Sequence, residues 1–224
     1  MTRAVAVLRP DPGNGATVER VRAAGLAAIP LPLFDVVPIP WAPPGTDAFD
    51  RLLLTSANAV RHGGAGLSSL RALPVLAVGG ATAAAARAAG FVLDTVGPGD
   101  LAGLLDGIAP HQRLLWLSGE DRTTTTHPAI ARVVPVYRAV ARELMRAQAE
   151  SLAGSVVLLH SARAGMQLAA EVDRHKIARA GIRMAAISAK AATAAGSGWA
   201  RITIATAPDD HSLIAAARGL AIDP

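Results

Sequence analysis

The chain has 224 residues, 51% of them hydrophobic and 17% charged, with a formal net charge of +5 and no cysteine. That length holds one large domain or two small ones; the apolar share excludes a disordered chain, and the lack of cysteine excludes a disulfide framework and thiolate chemistry. No run approaches the ~18 apolar residues of a membrane-spanning helix, and the opening MTRAVAVLRPDPG reads as neither signal peptide nor span, so a soluble, cytoplasmic protein with no membrane partner is expected.

Short apolar segments of strand length alternate with alanine-rich helical stretches. The strand AVAVLR (4–9) leads to the helix ATVERVRAAG (16–25) and the strand AAIPLP (27–32). The proline-rich PLPLFDVVPIPWAPPG (30–45) follows as stiff extended backbone. Next come strand RLLLTS (51–56), helix NAVRHGGAGL (58–67), strand VLAVG (75–79), helix ATAAAARAAG (81–90), strand FVLDTV (91–96) and helix DLAGLLDGIA (100–109). Strands RLLWLS (113–118), VVPVYRAV (133–140) and SVVLLHS (155–161) precede helix ARAGMQLAAEVDRHKIARAG (162–181). Strand RMAAIS (183–188), helix AATAAGSGWA (191–200), strand RITIAT (201–206) and helix DHSLIAAARGL (210–220) complete the series. Strands apolar on both faces that alternate with helices predict an α/β fold with helix-covered parallel sheets.

The chain also resembles itself. LLLTSANAV (52–60) matches VLLHSARAG (157–165), VLAVGGATAAAARAAGF (75–91) matches MAAISAKAATAAGSGWA (184–200), and TVGPGDLAGLLDGIA (95–109) matches IATAPDDHSLIAAARGL (204–220). The spacing is nearly constant: 105 residues separate Ser56 from Ser161, 108 separate Gly90 from Gly198, and 110 separate Pro98 from Pro208. A single duplication therefore predicts two similar lobes. The leftover segments, 4–32 and the strand at 113–118, each complete one lobe, which makes the first lobe discontinuous and sends the chain across twice. The expected boundaries are 1–34 plus 141–224 for one lobe and 43–132 for the other, with 35–42 and 133–140 as linkers that pair as a small ladder.

In parallel α/β sheets ligands bind beyond the carboxyl ends of the strands. The turns there contain Arg9, Thr55-Ser56-Ala57-Asn58, Gly79-Gly80-Ala81-Thr82, Ser118-Gly119-Glu120, Ser161-Ala162-Arg163 and Ser188-Ala189-Lys190. Their serines and threonines cap helices on one reading; on the other, free N–H groups at helix starts grip anions. Arginine makes up 20 of the 22 basic residues, which reflects either coding bias or an anionic partner. Aromatics at 3% and the absence of like-charge blocks argue against nucleic acid.

Other motifs are missing. Val18 stands where GNGATV would need the third glycine of a dinucleotide fingerprint, and there is no Walker A loop and no GxSxG elbow. The histidines at 62, 111, 127, 160, 175 and 211 lack metal-ligand spacing, so no metal is expected. His160 reads as a satisfied histidine at a strand end, and Asp209-Asp210 as caps of the last helix. Tyr137, the sole tyrosine, either packs the second crossing or presents a phenol at the mouth of an inter-lobe cleft, able to donate a proton.

LRPDP, LLTSANAV, VLAVGGATAAAARAAGF, LLWLSGE, VYRAV, VVLLHSARAG and AAISAKAATAA resemble, in order and spacing, the uroporphyrinogen-III synthase family over nearly the whole chain. The resemblance implies two flavodoxin-like lobes joined by a two-stranded linker. It implies an enzyme that cyclises hydroxymethylbilane, a linear tetrapyrrole with eight carboxylates, to uroporphyrinogen III, losing water and inverting ring D, as a monomer without cofactor or metal. It makes Tyr137 the catalytic candidate, assisting departure of the hydroxyl. It makes Arg9, Thr55, Ser56, Asn58, Gly80, Thr82, Ser161, Ala162, Arg163, Ser188, Ala189 and Lys190 candidates for substrate binding. Two departures stand out. The second-lobe turn that often reads G-P-T-T is Ser188-Ala189-Lys190-Ala191 here, and the four threonines at 123–126 are poor helix formers where the family carries a helix. The altered turn leaves an alternative, a non-catalytic, tetrapyrrole- or anion-binding regulatory member of the same fold; a nucleotide-binding protein is disfavoured by the lack of a phosphate loop.

Overall fold

The computed structural model describes residues 2–122 and 125–222, so two of the four threonines, Thr123 and Thr124, lie outside the described residues. The strands are β1 (Val5–Val7), β2 (Ala28–Pro30), β3 (Phe34–Pro38), β4 (Arg51–Leu54), β5 (Val75–Ala77), β6 (Leu93–Val96), β7 (Leu114–Gly119), β8 (Ile130–Ala141), β9 (Val156–Leu159), β10 (Arg183–Ala186) and β11 (Arg201–Ile204). The α-helices are α1 (Gly13–Ala23), α2 (Ala57–His62), α3 (Gly80–Ala88), α4 (Leu101–Leu105), α5 (Arg146–Glu150), α6 (Ala162–Arg174), α7 (Ala189–Ala194) and α8 (Asp210–Ile222). Short 3-10 turns cover Thr46–Ala48, Gly64–Leu70 and Arg179–Gly181. Among the described residues no helix is long and apolar enough to cross a membrane.

Two compact units result. One runs to Asp35 and resumes at Val140; the other spans Val36–Ala139. The first is built on a five-stranded sheet in the order β2-β1-β9-β10-β11, parallel throughout. The second is built on a six-stranded sheet in the order β3-β8-β7-β4-β5-β6, parallel from β8 to β6. When β7 and β8 are matched to β1 and β2, and β4 to β6 are matched to β9 to β11, the two orders coincide as the flavodoxin-like 2-1-3-4-5. The proline-rich stretch and VVPVYRAV supply β3 and β8, which are neighbours at one edge of the six-stranded sheet.

Both faces of each sheet are covered, which is why the strands read as unbroken apolar runs. In the second unit Leu52, Leu54, Leu115, Leu117, Val134 and Val136 form a core on one face with α2 and α3, while Leu53, Leu76, Leu114 and Trp116 meet α4 on the other. In the first, Val5, Val7, Val156 and Leu158 pack under Val21 of α1 and Leu213, Ala217 and Leu220 of α8.

Three helices stop earlier than their apolar periodicity, for one shared reason. Each is followed by a residue in the left-handed region: Gly25 (φ 78°), Gly90 (φ 83°) and Lys176 (φ 56°). In each case the next amide closes back on the helix, Leu26 N–H to Val21 O, Phe91 N–H to Ala86 O and Ile177 N–H to Val172 O, at 3.2, 3.0 and 2.9 Å. The long helix expected over 162–181 therefore ends at Arg174, and a 3-10 turn follows at 179–181.

Candidate functional site

Every candidate turn lies at the carboxyl end of a strand. In the first unit Arg9 follows β1, Ser161 follows β9 and Ser188 follows β10. Ser161 and Ser188 are helix caps, accepting from the amides of Ala164 and Ala191 at 3.1 and 3.3 Å. Ala162 and Arg163 form the first turn of α6; the Arg163 guanidinium stacks 4.8 Å over the ring of Phe34. Ala189 and Lys190 open α7, and both are exposed.

Arg9 is committed to a polar cluster that sequence reading missed. Asp210 lies at its centre. One carboxylate oxygen accepts from Arg9 Nη1 at 3.1 Å and meets His160 Nε2 at 3.0 Å. The other accepts from Thr17 Oγ1 and Arg20 Nη1, both at 2.7 Å. Burial works against ionisation of this carboxyl, but the hydrogen bonds from His160 and Thr17 and the charges of His160 and Arg9 outweigh it and hold Asp210 well below the usual carboxylate range. Asn14 secures the same corner, its Nδ2 donating to the carbonyls of Val7 and Arg9 at 2.7 and 2.9 Å. Of the two aspartates expected as caps, only Asp209 caps α8, accepting from Ser212 N–H at 2.8 Å; Asp210 turns inward. His160 is only half satisfied: Nε2 meets Asp210, while Nδ1 is buried without a hydrogen-bond partner among the described residues.

In the second unit Thr55 accepts from Trp116 Nε1 at 3.2 Å, and Ser56 caps α2 by accepting from Asn58 N–H at 3.2 Å. The Asn58 side chain accepts from Arg61 at 3.3 Å. Gly80 opens α3 with free space where a side chain would stand, and Thr82, two residues on, is buried. These groups, like those of the first unit, are occupied largely in building the turns themselves.

Tyr137 differs. It is half-buried on β8, packed against the core face that α2 and α3 cover, and its hydroxyl makes no hydrogen bond among the described residues. The His62 ring, at the end of α2, lies 6.3 Å away between centroids, tilted by 39°. Burial, and then the neighbouring charge of Arg61, push the His62 imidazole below its ordinary value, so it is neutral at pH 7. His62 also borders a groove of about 400 Å³ bounded by Pro38–Trp41 and the glycine-rich turn at 63–66, where Trp41 Nε1 donates to Gly63 O at 2.8 Å. No sequence signal singled out His62, because a lone histidine after a cap has no characteristic spacing. Among the described residues no group of three or more His, Asp or Glu side chains could hold a metal ion.

Comparison with known proteins gives a consistent result. Residues 15–215 match the family model described as uroporphyrinogen-III synthase HemD. The solved structure of uroporphyrinogen-III synthetase from Helicobacter pylori 26695 is 16% identical and superposes with a TM-score of 0.66, covering 97% of this chain and 99% of its own, which shows a shared fold. The wild-type uroporphyrinogen III synthase of Thermus thermophilus is 19% identical over 97% of this chain and 96% of its own, with a TM-score of 0.40. No curated protein sequence matches significantly.

Proposed function

Because the chain belongs to the uroporphyrinogen-III synthase family, we propose that it converts hydroxymethylbilane to uroporphyrinogen III. The substrate is a linear tetrapyrrole whose terminal hydroxyl leaves with the push of its own pyrrole, generating an azafulvene cation. Attack through a spiro centre inverts ring D before the macrocycle closes. Such a reaction asks the protein for positioning more than for an activated nucleophile, and positioning alone contributes several kcal/mol. Tyr137 donates a proton to the departing hydroxyl, which leaves as water. The proton returns when the newly bonded pyrrole sheds its hydrogen on closure.

The observation that carries this reading is the phenol of Tyr137. It is held on a strand of the sheet, beside a neutral imidazole, and its hydroxyl has no hydrogen-bonding partner among the described residues to compete with a substrate. The exposed Lys190 and the amides opening α3 and α6 are suited to the substrate's carboxylates.

Hydroxymethylbilane generated in situ, with the oxidised products resolved by chromatography, tests the proposal. Isomer III is expected; isomer I alone, the product of spontaneous closure, would reject it and leave a binding member of the family. Tyr137→Phe is expected to slow isomer III formation about a hundredfold with the melting temperature nearly unchanged. An unfolded variant, or a fully active one, would mean that the ring only packs.

A further inference from the structure

We infer that Gly119 is a positioning residue for the Tyr137 phenol, acting as the floor on which the ring lies. The geometry comes from the end of the β7–β8 pair. Ser118 is opposite Pro135 and Gly119 is opposite Tyr137, so the ladder shifts by one residue there and Val136 is the extra one. Val134 and Val136 are both buried in the core face under α2 and α3. Strict alternation would send Tyr137 to the opposite face. The bulge turns it back, and Tyr137 packs against the same cluster as its neighbour Val136.

That re-aimed ring needs room, which Gly119 provides. A Cβ added at Gly119 would lie 2.9 Å from both Cε2 and Cζ of Tyr137 and 3.1 Å from its hydroxyl oxygen. Gly119 is not among the glycines with positive φ, so glycine is required here for space and not for backbone conformation. The neighbouring Glu120 N–H donates to the Tyr137 carbonyl at 2.9 Å, which fixes the backbone of the pair and leaves the side chain free to move. With no hydrogen bond on the hydroxyl among the described residues, packing alone sets where the oxygen points. Any side chain at position 119 must therefore lift the ring.

The consequence for activity rests on the function proposed above, but the geometric claim can be tested without it. This is the chain's only tyrosine, so its aromatic-ring resonances report a single phenol. Gly119→Ala is expected to displace those resonances. It should also lower kcat for isomer III about tenfold at nearly constant KM, and cause no further loss of kcat in the Tyr137→Phe background. Unchanged tyrosine ring resonances in Gly119→Ala, or additive losses of kcat in the double variant, would overturn the inference. If wild type yields isomer I alone, the proposed reaction fails and the ring resonances still decide the geometry. If Gly119→Ala does not fold, the Hα resonances of Gly119 in the wild type decide instead. They are expected to be displaced by the ring current and to return to ordinary positions in Tyr137→Leu; resonances that are not displaced would refute the placement.

Discussion

His160, Asp210 and Arg9, at the carboxyl edge of the five-stranded sheet, stand where Thr55, Asp100 and Ser118 stand in the six-stranded one. The repeat aligns the first two pairs, since VLLHS matches LLLTS and Pro208 matches Pro98. The register aligns the third: Val7 is opposite Leu158 and Trp116 is opposite Leu53, which places Arg9 and Ser118 two residues further along equivalent strands. The same positions have acquired different chemistry. In the first unit they form a charged cluster whose central carboxylate accepts from four groups. In the second, Asp100 caps α4 by accepting from Gly103 N–H at 2.8 Å, and the Ser118 hydroxyl is buried with no partner among the described residues. One edge is tied together by a charged cluster, although His160 Nδ1 stays without a partner among the described residues. The other has single caps and hydroxyls in its place and leaves its one phenol without a hydrogen bond among the described residues. A duplicated scaffold has thus built a cross-linked corner in one copy and none at the matching place in the other.

The largest effect that would test this contrast is the removal of Asp210. Asp210→Ala leaves Arg9 and His160 half-buried without their partner and is expected to cost about 3 kcal/mol of stability. Its counterpart Asp100→Ala removes only a helix cap, for about 1 kcal/mol. Equal urea midpoints for the two variants would dissolve the distinction between the edges. Acid gives a smaller, graded version of the same test. The carboxyl of Asp210 titrates lower in the folded protein than its unfolded value of about 3.9. Its stabilisation is therefore complete above that value and is lost as pH falls below it towards the folded-state value. The gap in urea midpoint between wild type and Asp210→Asn should be widest above about pH 5 and narrow steadily below about pH 4; a gap independent of pH would show that the carboxylate's charge is not what matters. The smallest effect belongs to Ser118→Ala, which removes a buried hydroxyl without a partner among the described residues and is expected to be neutral or to stabilise by up to about 1 kcal/mol. Marked destabilisation would mean that Ser118 has a hydrogen bond like those on the other edge.

Much of this was legible in the primary structure. All ten apolar segments coincide with strands; in the central ones burial on both faces writes itself as an unbroken run, while the more exposed β6 and β11 show through their β-branched residues. The duplication exposed the orphan strands, β1 with β2 and β7 with β8, that complete each sheet. What escaped was set by local geometry or by distance. The pairing of Phe34–Pro38 with VVPVYRAV is expected only as a separate linker ladder; that this pair forms the edge of the six-stranded sheet escaped, because three prolines within 32–40 mask the alternation of a sheet strand. Arg146–Glu150 is too short to show a helical period. Lys176 ends α6 in a conformation usually left to glycine, so the sequence carries no stop sign there. The Asp210 cluster joins residues 50 to 201 positions apart, and no spacing rule reaches so far. Tyr137 stood out by being unique; Gly119 is marked in the sequence only as part of the strand-end turn Ser118-Gly119-Glu120, because its particular importance lies in an atom it lacks.

The placement of β1 has a consequence for the order in which the molecule can be assembled. All three residues of β1 are fully buried, between β2 on one side and β9 on the other. A ribosome delivers Val5 first and its partner Val156 only after 150 intervening residues, which include the whole of Val36–Ala139. During synthesis the second unit has its full complement of strands before the first has more than two of its five. An apolar strand edge at β1 therefore waits uncovered, and its protection in that interval must come from α1, from β2 or from outside the chain.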